Sequence, residues 1–221
     1  SLAVGYEVAL RSGLALHATA CDYHTSGAWN ALGCAAIVAR RLGLSEDKTR
    51  HALGIAEYHG PRSQMMRCID HPTMLKDGSG WGAMSGLSAG LLAHKGFTGA
   101  PALTVESQEI SGIWADIGSR WYLLEQDFKR HAVCHWAQPS IAGVLELLNK
   151  HDISPDNIEH IQIHTFYEAT RLTCRHPKTT EQAQYSLPFP VAAAIIHGSL
   201  GPDELSGEAL TDQRVLELAD H

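Results

Sequence analysis

The stretch AWNALGCAAIVARRLG, residues 28–43, decides the fold class of this chain. It is rich in Ala and Gly and ends at a Gly-Leu pair, Gly43-Leu44. Small side chains at helical spacing let two backbones approach closely, so such a segment reads as a helix buried against other helices. It is too short for the roughly 20 apolar residues that a membrane span needs. Working outward, residues 2–20 carry an apolar helical pattern that includes Gly5 and Gly13. Ser45-Glu-Asp reads as an N-cap with two acids in the first turn, opening a helix that runs through about Tyr58. A further small-residue helix is expected from about Gly82 to His94, stopping at Gly96. Residues 1–125 therefore read as an all-α domain.

The pattern changes after Trp121. Residues 137–150 read as a helix, and residues 160–166 alternate, with Ile161, Ile163 and Thr165 on one side and His160, Gln162 and His164 on the other. Period-two alternation predicts a half-buried strand. A helical stretch bent near Pro188 and Pro190 is expected over residues 180–198. Residues 126–221 thus read as a smaller α+β domain, and the fold class as mainly α with α+β. Neither an internal repeat nor a low-complexity tract is visible.

At 221 residues, 44% hydrophobic and 19% charged, the chain has enough apolar material for a sizeable core. Seventeen Lys and Arg stand against 24 Asp and Glu. That balance argues against nucleic-acid or anionic-membrane partners, which need a basic face, yet permits a locally cationic pocket. Five scattered cysteines with no CxxC pair fit a reducing cytoplasm better than a disulfide framework. Fourteen histidines supply a residue type suited to proton transfer near neutrality.

Four strings could carry chemistry. His24, in the polar loop ahead of residues 28–43, can present its imidazole to a cavity or stand as a plain loop histidine. Arg62 follows a Gly-Pro break and is free either to grip a carboxylate bidentately or to be solvated. The string KDGSGWG, residues 76–82, puts Lys76 and three glycines before a helix start, which suits an anion or a tight interhelical turn. Residues 128–136, FKRHAVCHW, gather Lys129, Arg130, His131, Cys134 and His135. They read as a cationic patch for carboxylates, as a plain strand at the junction between domains, or, with the His131/Cys134/His135 spacing, as part of a zinc site.

Taken in order, these strings resemble the MmgE/PrpD family, that of 2-methylcitrate dehydratase and its decarboxylase and epimerase relatives. Gly5-Tyr-Glu-Val matches a GxEV-type helix, and His24 with residues 27–44 resembles the family's FHP segment and the small-residue helix after it. Residues 76–99, residues 128–147 and the string QAQYSLPF, residues 182–189, resemble three further family segments. The resemblance implies a helical domain plus a smaller lid domain with the active site in the cleft between them, no metal or organic cofactor, and a homodimer. It implies a small di- or tricarboxylate substrate from which a proton is abstracted next to a carboxylate. His24 falls on the family's active-site histidine, Lys76 on its helical-domain lysine and Lys129 on its lid lysine. These three are the expected catalytic residues, with Arg62, Cys134 and His135 expected to bind substrate. The spacing from Lys76 to Gly86 is one residue shorter than usual. Cys134 stands where the decarboxylase has a second histidine, His135 where many members have arginine, and Gln138 replaces a frequent histidine. These departures leave dehydration, decarboxylation and epimerisation open. The resemblance also implies an internal portion of the fold, without an acidic active-site segment that members carry ahead of it. A non-catalytic binding or dimerisation module is the reading from outside enzymology.

Overall fold

The computed structural model describes residues 1–221 and is mostly helical. The helices are α1 (Leu2–Thr19), α2 (Gly27–Leu42), α3 (Glu46–His59), α4 (Met66–Asp70), α5 (Ser79–His94), α6 (Leu103–Glu106), α7 (Ser111–Trp114), α8 (Gln138–Lys150), α9 (Tyr167–Thr170), α10 (Thr180–Gln184), α11 (Pro188–His197) and α12 (Gln213–Ala219). The chain divides into two compact units. The first comprises Ser1–Met65 and Leu75–Asp127, the second Met66–Met74 and Phe128–His221.

The first unit is built on α1, α2, α3 and α5, and its core is made of very small side chains. Ala31, Ala35, Ala52, Ala56, Ala89 and Ala93 cluster with Ile55, and all are buried. Alanine buries little area, so this core depends on how closely the backbones approach. Two glycines set that approach. A Cβ on Gly33 would lie 2.5 Å from the Gly5 carbonyl oxygen, and one on Gly86 would lie 2.6 Å from the Cβ of Cys34 and closer still to the Ala31 carbonyl. The ends of these helices follow their local sequence. The Ser45 hydroxyl accepts from Lys48 N at 3.4 Å with Glu46 and Asp47 in the first turn, and α2 closes on Gly43 at φ +61°. Helix α5 starts three residues earlier than the sequence suggests, because Gly78 at φ +73° forms its N-cap.

Helix α1 is fixed by charge. Glu7 and Arg11 are fully buried, and Arg11 Nε donates to Glu7 Oε1 at 2.8 Å. The remaining donors of Arg11 reach the Ile113 carbonyl, Asp116 Oδ1 at 2.6 Å and the Arg120 carbonyl at 2.9 Å. Glu7 in turn accepts from the backbone N–H groups of Tyr122 (3.2 Å) and Leu123 (3.1 Å). Tyr122 lies between two guanidinium groups, 4.9 Å from Arg11 and 4.4 Å from Arg120. Burial works against the charge on Arg11, but its bonds to Asp116 and Glu7 outweigh it and hold the group above its ordinary value. The same bond from Arg11 holds the Asp116 carboxyl below the usual carboxylate range, and Arg120 does the same for Glu125.

In the second unit α11 is the central helix, with Phe189, Val191, Ala192, Ala193 and Ala194 buried, and α8 and α12 pack on it. Here the structure corrects the sequence reading twice. Residues 160–166 do not form a strand in a sheet, and the expected α+β character is absent. The alternation survives in burial, with Ile161 and Ile163 half-buried while His160, Gln162 and His164 are exposed, but no neighbouring strand completes a ladder. Thr165, expected on the isoleucine side, is exposed. Residues 180–198 are two helices instead of one bent helix. Pro188 cannot donate a backbone hydrogen bond, so it opens α11 at its first position while α10 ends at Gln184.

Three outcomes are expected. Arg11→Met leaves the Glu7 carboxylate buried without its cation and costs about 3–5 kcal/mol of unfolding free energy in urea titration. The depressed Asp116 and Glu125 carboxyls contribute stability that is complete at neutral pH and is lost as the pH falls through their lowered values, which thermal melts across an acidic pH series will show. Gly86→Val costs roughly 1–3 kcal/mol or more through overpacking, whereas Gly143→Ala, on a helix position with open space around it, gains up to about 1 kcal/mol.

Candidate functional site

In the first unit three polar loops are tied together by backbone bonds at the starts of α2 and α5. His24 pairs with Gln64 in an isolated antiparallel bridge, in which Thr25 N donates to Ser63 O and Met65 N to Tyr23 O, both at 2.8 Å. Gly27 N donates to Asp77 O at 2.8 Å, and the Ser26 and Asn30 side chains meet the Ser79 hydroxyl at 3.0 and 2.8 Å. Glycine is required at this crossing, because a Cβ on Gly27 would lie 2.5 Å from the Gly78 carbonyl. The segments bearing His24, Arg62 and Lys76 are therefore held in register by main chain, which fixes position more firmly than side-chain contacts alone.

The His24 side chain is only 9% exposed. Its Nδ1 lies 3.1 Å from the Asp22 carbonyl and its Nε2 3.6 Å from Asp22 Oδ1. Both ring nitrogens thus face oxygen. Tyr23 and Trp29 flank His17, with ring centroids 6.0 and 5.1 Å away. Partial burial lowers the His17 pKa against a backbone bond to Gly13, and His24 adds to the lowering. Arg62 and Lys76 are exposed. One oxygen in this region, Asp77 Oδ1, is buried without a hydrogen-bond partner.

The residues expected from the string 128–136 lie in the second unit. Residues 128–134 form a loop closed by Gln138, whose Nε2 donates to His131 O at 2.9 Å and Val133 O at 3.3 Å while its Oε1 accepts from His131 N at 3.2 Å. Lys129 is exposed and its Nζ donates to Val133 O at 3.1 Å. Cys134 is buried and its N–H donates to Gln184 O, whereas His135 is exposed at the start of a 3-10 turn, His135–Ala137. The zinc reading finds no ligand set. His131 Nδ1 is engaged with the Leu200 carbonyl at 2.8 Å, and no group of three or more His, Cys, Asp or Glu side chains converges anywhere in the chain. Asp22, Gln64 and Asp77 were not singled out from the sequence. Only Asp22, two residues before His24, left a signal there; Gln64 and Asp77 take their places through contacts distant in sequence.

The first unit is a bundle of small-residue helices that carries His24, Arg62 and Lys76 on its loops, and comparison with known proteins shows the family to which the chain belongs. The MmgE/PrpD N-terminal domain matches residues 1–115 and the MmgE/PrpD C-terminal domain matches residues 131–221. The chain belongs to the MmgE/PrpD family. It is similar to a cis-aconitate decarboxylase of Mus musculus, 24% identical over 217 residues, which covers 89% of this chain and 43% of that relative. The chain thus spans less than half the length of the curated relative it matches.

Gln138→Leu removes all three bonds that close the loop carrying Lys129. Tryptic cleavage after Lys129 and Arg130 is expected to speed up several-fold in limited proteolysis, with the rest of the digestion pattern unchanged.

Proposed function

We propose that this chain carries the carboxylate-binding and proton-moving residues of a lyase-type enzyme resembling 2-methylcitrate dehydratase, acting on a small di- or tricarboxylate. The observation that carries the reading is the match of both MmgE/PrpD domains in order along the chain. The surroundings of His24 support it. Removing a proton next to a carboxylate requires a base and develops enediolate charge, which nearby cations stabilise. His24, held by Asp22 and backed by the Gln64 bridge, has the restricted position a proton-transfer group needs. Lys76 and Lys129 would hold carboxylates as point charges, and Arg62 and His135 would add further donors. Cys134, which is buried, would shape the base of its loop. Imino- or amino-dicarboxylate epimerisation shares the proton-abstraction step, and the replacements at Cys134, His135 and Gln138 keep it as the second reading.

No disulfide joins any of the five cysteines, and no helix is long and apolar enough to cross a membrane. A reducing compartment such as the cytoplasm suits thiols that form no disulfide.

Calorimetric titration with citrate and 2-methylcitrate tests the reading. Lys76→Ala and Lys129→Ala are each expected to weaken binding about 10- to 100-fold, the worth of one charge-assisted bond. His24→Gln is expected to keep the ligand but stop deuterium exchange next to its carboxylate. Exchange without loss of water or carbon dioxide would favour epimerisation, and binding indifferent to both lysine substitutions would point to a non-catalytic module.

A further inference from the structure

Residues 66–74 leave the first unit and return to it. Met65 and Leu75 belong to the first unit, whereas Met66–Met74 belongs to the second. Both ends of this excursion run directly into the site built around His24. On the entry side Gln64 bridges His24, Ser63 O accepts from Thr25 N, and Met65 N donates to Tyr23 O. On the exit side Lys76 follows Leu75 at once, and Asp77 O accepts from Gly27 N. Whatever holds residues 66–74 therefore also sets where these loops begin.

The helix of the excursion, α4, has five residues, far fewer than a helix needs to be stable by itself. Its shape comes from contacts within the second unit. Cys68 and Ile69 are buried, and Asp70 Oδ2 accepts from Arg171 Nη2. A cavity of about 370 Å³ is lined from the excursion by Ile69, Asp70 and Pro72 and from the rest of the unit by Arg171, Thr173 and Tyr185, so this ion pair joins the two walls. Arg171 is itself well founded. The next residue, Leu172, is buried, and its carbonyl accepts at 2.9 Å from the N–H of Leu187, which leads into α11.

We propose that Arg171 is a positioning residue for the His24 site, acting through Asp70 to anchor residues 66–74 and, with them, the loops that carry His24, Gln64 and Lys76. The inference rests on the reading of His24 and Lys76 as the proton-moving and carboxylate-holding groups. Its route is covalent, through the peptide bonds at 65–66 and 74–75. One N–H of Arg171 reaches Asp70, so the anchor needs a positive donor at that point rather than the whole guanidinium fork. Lysine can supply that donor and alanine cannot.

Amide hydrogen exchange, read residue by residue by NMR with no ligand present, tests the anchor. Arg171→Ala is expected to speed exchange at Thr25, Gly27 and Met65 about two- to five-fold, the worth of a partly exposed ion pair. The Leu187 N–H, next to the founding of Arg171, is expected to keep its rate. Arg171→Lys is expected to hold the original rates at all four amides. In calorimetric titration with citrate, Arg171→Ala is expected to weaken binding by the same factor and Arg171→Lys to leave it unchanged. Glu146→Gln, which breaks an exposed ion pair on α8, is expected to alter none of these. Unchanged exchange at Thr25, Gly27 and Met65 in Arg171→Ala would overturn the proposal, as would equal acceleration in Arg171→Lys or faster exchange with undiminished citrate affinity. An unsubstituted chain that ignores citrate would sink the carboxylate reading alone, since the exchange rates are measured without it.

Discussion

Arg11 has nowhere to put its charge except where the structure has built a place for it. Five N–H donors in a rigid fork, buried in the middle of α1, must each meet an acceptor or cost stability, and only Glu7 is local. The others, Asp116 and the carbonyls of Ile113 and Arg120, come from a segment over a hundred residues further along. Glu7 answers in kind by accepting from the backbone of Tyr122 and Leu123. The pair therefore acts as a clasp that closes the first unit on itself. Without it the segment from Ile113 to Leu123 would have little to hold it, since that segment buries few apolar side chains of its own.

With α1 fixed, the alanine and glycine surfaces of α2 and α5 can meet at backbone contact. That closeness has a chemical consequence. Helices packed through Gly27, Gly82 and Gly86 bring their N-terminal loops within hydrogen-bonding range, so the segments bearing His24, Gln64 and Asp77 bond to one another through main chain. Bulkier packing would have separated these loops and left each to the solvent. The same small residues that make a weak hydrophobic core thus make a precise scaffold for polar loops.

The second unit shows the opposite relation between pattern and structure. Its loop around Lys129 is short and polar, yet it is ordered because one side chain, Gln138, satisfies three backbone groups at once. Residues 158–166 have a regular alternating pattern and form no ladder. A ladder needs a neighbouring strand, and alternation by itself supplies none.

Read alone, the sequence determined the four long helices of the first unit, the Ser45 cap of α3, the Gly43 stop of α2 and their small-residue faces, because these depend on contacts within a few residues. It also placed His24, Arg62 and Lys76 on loops, since Gly and Pro interrupt helical periodicity wherever they cluster, whereas the Lys129 string, open to a junction strand, folds as a loop. It overreached at residues 160–166, where a period of two reports two faces but says nothing about a neighbouring strand, and at Pro188, where a helix start was read as a bend. Only the tertiary structure decided that Arg11 is a buried clasp, that Gln138 locks the loop of Lys129 and that Gln64 and Asp77 meet the His24 and Gly27 segments. Each of those arrangements joins groups that must satisfy one another in a low-dielectric interior, and which groups meet there is set by the packing of whole helices rather than by local sequence.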